Sequence, residues 1–315
     1  MGLQLALPFL ESPPPAPIVK WVGGKGRLLS QLAPLLPGGI EQMRHIEPFL
    51  GGGAVFFARR PARALLSDKN PHLCTTYAAV REDVECLIER LKELAKGHNS
   101  ERYYRLRHRY NHAGKLSQVE RAALFIYLNK TCYNGLHRVN RRGEFNVPVG
   151  RYLKPSILDE LSLRAASREL RSAELRCASF EVVLDVATAG DFVYFDPPYV
   201  PVSRTSSFTA YAADGFTVED QQRLRDVFVQ LDRRGCAVML SNSAASCVRE
   251  LYAGYRFDEV LAPRSINCAT SSRGPVGELV VRNYGVGSQI GRLGKVERCD
   301  GQRAGGQGQL LEACA

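Results

Sequence analysis

Apolar residues along this chain fall into short runs with β-favouring side chains, separated by longer amphipathic stretches. Such runs predict strands at His45–Phe49, Arg63–Ser67, Leu175–Ser179, Phe192–Phe195, Cys236–Leu240, Arg256–Leu261 and Glu278–Tyr284. The stretches between them predict helices beginning at Ala54, spanning Pro71–Ala95 and Thr217–Arg234, and covering Ala244–Tyr252. Thr217 opens a T-x-x-D start that resembles a capping box, with Asp220 where Glu or Gln is usual. Strand and helix alternate, the mark of an α/β fold with a mainly parallel sheet. The stretch from about 97 to 173 breaks the alternation. It has helical patterns, one opened by the capping box S-Q-V-E at Ser117, and then the loop-rich run TCYNGLHRVNRRGEFNVPVGRY. Residues 1–17 are Pro-rich, and the segment after Asn283 carries eight glycines with little apolar periodicity, so both ends read as flexible.

Charge changes the picture of the interruption. The 315 residues carry 42 Lys and Arg against 32 Asp and Glu, a formal charge of +10. Residues 100–155 hold 12 of those cations and only Glu101, Glu120 and Glu144, so +9 of the excess lies there. Tyr133, Asn134 and Asn140 share the block, a mixture suited to phosphates and bases. Nine cysteines without C-x-x-C spacing fit a reducing cytosol. The start MGLQLALPFL lacks a basic n-region and runs into Glu11 and prolines, so neither a signal peptide nor a membrane span is expected. His108 and His112 stand at i, i+4, but no third ligand is apparent, and no metal site is expected.

Three motifs carry candidate chemistry. In DFVYFDPPY (191–199) an apolar strand stops at Asp196, Pro197, Pro198 and Tyr199. Ligands of open α/β sheets bind beyond the carboxyl ends of strands. The prolines donate no backbone hydrogen bond, so this corner offers acceptors and a flat ring, a fit for a planar group bearing NH2. EPFLGGGAVFF is a strand, three glycines and a helix start, and Asp68 follows Gly51 by 17 positions at the end of the next strand. That pairing points to a nucleoside-bearing cofactor. VKWVGGKGR is not a Walker A loop, because Val19 replaces its first glycine and Gly26 follows Lys25 where Ser or Thr is needed. The glycines flanking Trp21 predict an exposed ring beside a ligand.

Together these motifs, in the order KWVGGK, EPFLGGG, SDKN, YLNKTCYNGLHRVNRRGEFNVPVGRY, FDPPY, SFTAY, LSN, RSI and ELVVRNY, resemble the Dam-type DNA adenine-N6 methyltransferases, α group, over residues 18–284. The resemblance implies a seven-stranded Rossmann-like methyltransferase sheet formed by residues 18–96 and 174–284. It also implies a helical and β-hairpin insert for target recognition (97–173) and a Gly-rich tail (285–315). It implies S-adenosylmethionine as cofactor, held by Trp21, Lys25, Glu47, Phe49, Gly51, Gly53, Asp68 and Asp196, with Asp196–Tyr199 catalytic. Double-stranded DNA is the implied partner, with GATC as target and Lys20, Tyr133, Asn134, Leu136, Arg138 and Pro148 as base-reading or flipping-support positions. Asn140, Arg141 and Arg142 join them on the DNA, the two arginines on phosphates. The family pattern is departed from at Lys69, where an apolar residue is usual, and at Ser243. A cytoplasmic, nucleoid-associated monomer is expected. No Pro-Cys dipeptide occurs, which argues against cytosine-C5 chemistry. Methylation of another exocyclic amine (cytosine N4, adenine in RNA, a glutamine amide) remains an alternative, as does a DNA-binding protein that has lost catalysis.

Overall fold

The computed structural model describes residues 13–199, 216–262 and 276–286. Seven strands form one sheet: β1 (His45–Glu47), β2 (Ala64–Asp68), β3 (Ala173–Cys177), β4 (Phe192–Phe195), β5 (Ala237–Ser243), β6 (Arg256–Ala262) and β7 (Val276–Arg282). Among the described residues ten α-helices accompany them: α1 (Leu29–Leu32), α2 (Ala54–Arg59), α3 (Pro71–Glu82), α4 (Val84–Ala95), α5 (Ser100–His112), α6 (Gln118–Thr131), α7 (Glu160–Leu170), α8 (Val183–Val186), α9 (Val218–Arg234) and α10 (Ser246–Leu251).

The strand order is β3-β2-β1-β4-β5-β7-β6. The first five positions are parallel, and β7 enters antiparallel between β5 and β6, pairing Ser243 with Glu278 and Val260 with Glu278. The expectation of a mainly parallel seven-stranded sheet is met. Alternation along each strand feeds the two faces. Ile46, Leu65, Val193, Phe195, Val238 and Leu240 pack with α8, α9 and α10. On the other face Phe192, Tyr194, Met239 and Val280 pack with α1. Ala64 and Leu66 join the large core of α3 to α7.

Sequence and structure part company at several boundaries. The single helix expected over Pro71–Ala95 is broken at Asp83, whose φ of −135° and ψ of 43° leave the helical region. The Asp83 N–H still donates to Ala79 and its carbonyl accepts from Leu87, so one residue ends α3 and begins α4. Aspartate is a poor interior helix residue because its side chain competes for the backbone. β7 starts and ends two residues earlier than expected: pairing with β6 extends its start to Val276, and at its end Asn283 keeps its N–H bond to the Val238 carbonyl but puts its side chain in place of its own carbonyl. Its side chain accepts from the Val238 N–H at 2.8 Å and donates to Asp232 and to the Cys236 carbonyl. Both predicted capping boxes are formed, at Ser117 with Glu120 and at Thr217 with Asp220. The helices of the interruption share one core with α3 and α4. SFTAY and RSI lie outside the described residues, as do most of the two terminal segments. Among the described residues no helix is long and apolar enough to cross a membrane, and no group of three or more His, Cys, Asp or Glu could hold a metal ion.

Candidate active site at the carboxyl ends of β1, β2 and β4

β4 lies at the centre of the sheet, fully buried through Phe195, and hands the chain to Asp196 at its carboxyl end. The Asp196 side chain keeps 19% of its surface open, and its Oδ1 meets the Lys25 ammonium at 2.5 Å. Lys25 stands in a 3-10 turn (Lys25–Arg27), with only 3% of its side-chain surface open. It also donates to the Gly23 carbonyl at 2.7 Å and lies 4.8 Å from the centre of the Tyr199 ring. The Tyr199 hydroxyl donates to Glu278 Oε2 at 2.7 Å. Behind the corner, Asn242 Nδ2 donates to Gln221 Oε1 and Gln221 Nε2 donates to the Pro198 carbonyl, each at 3.1 Å. Pro197 is buried and Pro198 exposed. The strand end is thus gripped from β5, α9 and β7 at once.

The glycine turn stands at the neighbouring strand end. The Gly53 N–H donates to the Leu50 carbonyl at 2.7 Å, with Gly51 at φ +48° and Gly53 at φ +69°, where side chains are strained. A Cβ at Gly51 would lie 2.7 Å from Cδ1 of Trp21, so the indole occupies the space that glycine leaves. Trp21 is accordingly half-buried, not the exposed ring that its flanking glycines predicted. The indole also stacks on His137 at 5.4 Å. Burial and the neighbouring His72 push the His137 imidazole down to about 4, so it is neutral at physiological pH. The turn is further fixed by Tyr77, whose hydroxyl donates to the Gly51 carbonyl at 2.9 Å.

Asp68 ends β2 as expected, and each of its oxygens already accepts a backbone N–H, from Gly51 at 2.9 Å and from Asn70 at 2.8 Å. Carboxylate oxygens have lone pairs beyond these. Burial raises the Asp68 carboxyl, opposed by those two amides. Glu47, inside the β1 end, is hydrogen-bonded to His45 Nε2 at 2.9 Å. Burial holds Glu47 well above the ordinary range, with Asp196 adding to the effect, and keeps His45 neutral. Asp196 is raised by burial, opposed by Lys25 and aggravated by Glu278. The Tyr199 hydroxyl is held well above its usual value by burial and by Asp196, so it stays a donor. Glu47 and Asp196 therefore share the Lys25 ammonium, Asp68 adds to the negative potential at Glu47, and the pocket favours an added positive charge. Phe49 lies at its side in an aromatic cluster, stacked on Phe180 at 5.4 Å and in edge contact with Phe195 and Phe216.

The basic insert presents a second surface. After α6 the chain turns through Asn134, in the left-handed region at φ 54°, and Gly135 at φ 65°. A Cβ on Gly135 would strike the Lys20 side chain at 2.4 Å, so glycine lets Lys20 cross to Tyr152. The Lys20 ammonium donates to the Tyr152 hydroxyl at 3.1 Å and sits 4.3 Å from the ring centre. Asn129 clamps the crossing: it accepts from the Lys20 N–H at 2.7 Å and donates to the Lys20 and Gly135 carbonyls. Tyr133, Asn134 and Pro148 are exposed and Leu136 half-buried. Tyr133 donates its N–H to the Pro148 carbonyl at 2.9 Å.

Beyond them a β-hairpin is bridged between Val139 and Phe145. Arg138 donates through Nε to Asn146 Oδ1 at 2.8 Å and through Nη2 to the Asn146 carbonyl at 3.3 Å. The Asn140 side chain shapes the tip, accepting from the Arg142 and Glu144 amides and donating to Glu144 Oε2. Arg141 and Arg142 project exposed from that tip.

Two groupings of the sequence-derived residues emerge. Trp21, Lys25, Glu47, Gly51, Gly53, Asp68, Asp196 and Tyr199 converge on the strand ends, while Tyr133–Pro148 form an exposed basic surface joined to them through Lys20 and the Trp21–His137 stack. Sequence reasoning missed Glu278, Gln221, Asn242, Asn129 and His137. ELVVRNY and LSN were visible as motifs. Glu278 was hidden because an antiparallel strand presents its first residues, not its last, to the carboxyl ends of its neighbours.

Comparison with known proteins places this geometry. Residues 21–266 match the model of a family described as D12 class N6 adenine-specific DNA methyltransferase. The Type II methyltransferase M1.LlaDCHI of Lactococcus lactis subsp. cremoris is 43% identical over 274 residues, covering 85% of this chain and 95% of the relative. The Type II methyltransferase M.MjaIII of Methanocaldococcus jannaschii is 42% identical over 285 residues, covering 85% and 99%. The DNA adenine methylase of Escherichia coli K12 is 37% identical over 264 residues, covering 83% and 93%.

Proposed function

The chain belongs to the D12 class N6 adenine-specific DNA methyltransferases, and on that premise we propose that it uses S-adenosylmethionine to methylate adenine N6 within GATC in double-stranded DNA, on a base swung out of the helix. The single observation that carries the reading is the convergence of Asp196, Lys25, Tyr199 and Glu278 at the end of β4. The acidic pocket between Asp68, Glu47 and Asp196 fits a cationic cofactor, and the left-handed turn at Gly51–Gly53, with the Trp21 indole packed on it, fits a nucleoside lying beside that ring. Trp21, Lys25, Glu47, Phe49, Gly51, Gly53, Asp68 and Asp196 would hold it. When bound, S-adenosylmethionine supplies an electrophilic sulfonium methyl group.

The work of the chain is to receive and orient the amine. Adenine N6 has its lone pair delocalised into the ring and, in a duplex, is paired and stacked. Extrusion costs a few kcal/mol. Stacking on Tyr199 offsets about 1 to 3 kcal/mol of this. The ionised Asp196 accepts one N6 hydrogen and the Pro197 carbonyl accepts the other, which draws the lone pair out of the ring plane. Methyl transfer would exchange the S–CH3 bond for N–CH3 and leave a neutral thioether, and the Asp196 carboxylate would take the proton that N6 sheds and pass it to solvent. Gln221 holds the Pro198 carbonyl, and Glu278 holds the Tyr199 ring. Positioning and fixed charges do most of the work, and no covalent enzyme intermediate is needed.

On this reading Arg138 reads a guanine edge, with Lys20, Tyr133, Asn134, Leu136 and Pro148 supporting the opened site and Arg141 and Arg142 on phosphates. Asn140 contributes by shaping the hairpin. Residues 18–96 and 174–284 form the catalytic unit and 97–173 the recognition unit. The chain acts as a monomer on chromosomal DNA in the cytoplasm. The test is transfer of labelled methyl groups to duplexes carrying GATC, permuted GATC, or cytosine and RNA targets. Incorporation confined to GATC adenine and abolished in Asp196→Ala upholds the reading. Equal labelling of permuted duplexes, or of cytosine or RNA, overturns it.

A further inference from the structure

One charged cleft lies outside everything described so far. Between α4 and α5 a cavity of about 360 Å³ is lined by Arg90, Arg102, Arg105 and Arg109, with Glu93, Leu94 and Leu106. Four guanidinium groups thus face one lining carboxylate. Glu120 pairs with Arg109 at 2.8 Å and with Arg90 at 3.5 Å. The Arg102 guanidinium donates through Nη2 to the Glu93 carbonyl at 2.9 Å, while its buried Nε has no partner among the described residues. Arg105 is exposed and, among the described residues, its side chain makes no hydrogen bond or ion pair.

Helical geometry fixes where this cleft faces. Successive residues advance by about 100°, so Arg102, Arg105 and Arg109 share one side of α5. Tyr103, Arg107 and Asn111 project from the opposite side and grip the recognition hairpin, through the Val147 carbonyl and through Phe145. The cleft therefore opens on the side of α5 away from its contacts with the hairpin.

We propose that the α4–α5 cleft binds the phosphodiester backbone of a second DNA segment while the first is still on the recognition hairpin. Planar guanidinium forks match phosphate oxygens in pairs, and the family's substrate is a polymer that presents phosphates at high local density. A chain with two such faces passes from one segment to another without dissolving into solution. The inference rests on DNA being the substrate, and is independent of the GATC, cofactor and flipping assignments.

The test follows release of a labelled short duplex lacking GATC, without cofactor, while the concentration of an unlabelled duplex is raised. For the intact chain the release rate should climb with competitor concentration, because the second duplex docks before the first departs. Arg105→Glu, which sacrifices no partner, should flatten that dependence, with Arg105→Gln intermediate. Turnover on a one-site short duplex and affinity for it should stay within about twofold, a spread under 0.5 kcal/mol. Release independent of competitor in the intact chain overturns the proposal, as does the same dependence in both variants. A parallel loss of one-site affinity would put the cleft on the main DNA path and overturn it too. So would a poly-glutamate competitor as effective as DNA, which would assign the cleft to acidic protein.

Discussion

Tyr199 donates its hydroxyl to Glu278 across 2.7 Å, and so the ring at the end of β4 is fixed by the opening residues of β7. A hydrogen bond to a charged group contributes about 1.5 to 3 kcal/mol. Tyr199→Phe keeps the stacking face and loses the tether, so the methyl-transfer step should slow by about tenfold or more. Glu278→Ala should match it, and Glu278→Gln should recover most of the rate. The double variant should be no slower than either single one, because both remove the same bond. Single-turnover rates check this, and additive losses would separate the two residues.

The acid limb of activity should reflect Asp196. Burial raises this carboxyl above its ordinary value of 3.8, and the ionised form is the one that accepts the amine hydrogens. Rate should therefore fall on acidification at a higher pH than for an exposed aspartate. Lys25 is the main group holding Asp196 down. Lys25→Gln should move the limb further upward as well as lowering the plateau. A limb unmoved by that substitution would remove Lys25 from the assignment.

Stability should show the opposite face of the same charges. Glu47 is held well above its usual range in the fold. Its contribution is fully present below the unfolded value and is lost as pH rises through the folded one. Glu47→Gln keeps an acceptor for His45 and removes the charge. Its melting temperature relative to the parent should rise steadily from acid to neutral pH, measured without cofactor. A difference that shrinks with pH would show that Glu47 is stabilised as the anion.

The space at Gly51 belongs to Trp21. Gly51→Ala adds a methyl group 2.7 Å from the indole at a positive φ, which should cost about 1 to 3 kcal/mol. Adding Trp21→Ala should recover part of that loss in thermal unfolding, but not cofactor binding. Full additivity would mean that the clash is relieved elsewhere.

Arg138 should govern one base pair. Its guanidinium is oriented by Asn146. Arg138→Ala should relax discrimination at that pair by about 1 to 3 kcal/mol. Asn146→Ala should relax it in the same direction by misaiming the fork. Arg141→Ala and Arg142→Ala should weaken all duplexes alike and flatten the salt dependence. Competition between permuted duplexes distinguishes the two patterns.

What was legible in the sequence was what local chemistry writes. β4 announced itself because a fully buried strand leaves an unbroken apolar run, and the Asp-Pro-Pro-Tyr that ends it has few structural uses. The caps at Ser117 and Thr217 were equally plain. The break at Asp83 was not, since one polar residue between two helical patterns preserves the period. Glu278 was harder still. Its partner Tyr199 lies 79 residues away, and only the reversed direction of β7 brings it to the site. His137 reads as an ordinary basic-loop residue until folding sets it against Trp21.

The placement of β7 has a consequence for the timing of activity. Ribosomes deliver the amino-terminal elements first, yet the strand that carries Glu278 is among the last to emerge and inserts between β5 and β6. Until it arrives, β5 has a bare edge and Tyr199 has no anchor. A half-made chain already owns its glycine turn and its basic hairpin, but the ring at the end of β4 is still untethered. The tether on which full-rate transfer depends is thus the last part of the site to be built, by the order of synthesis itself.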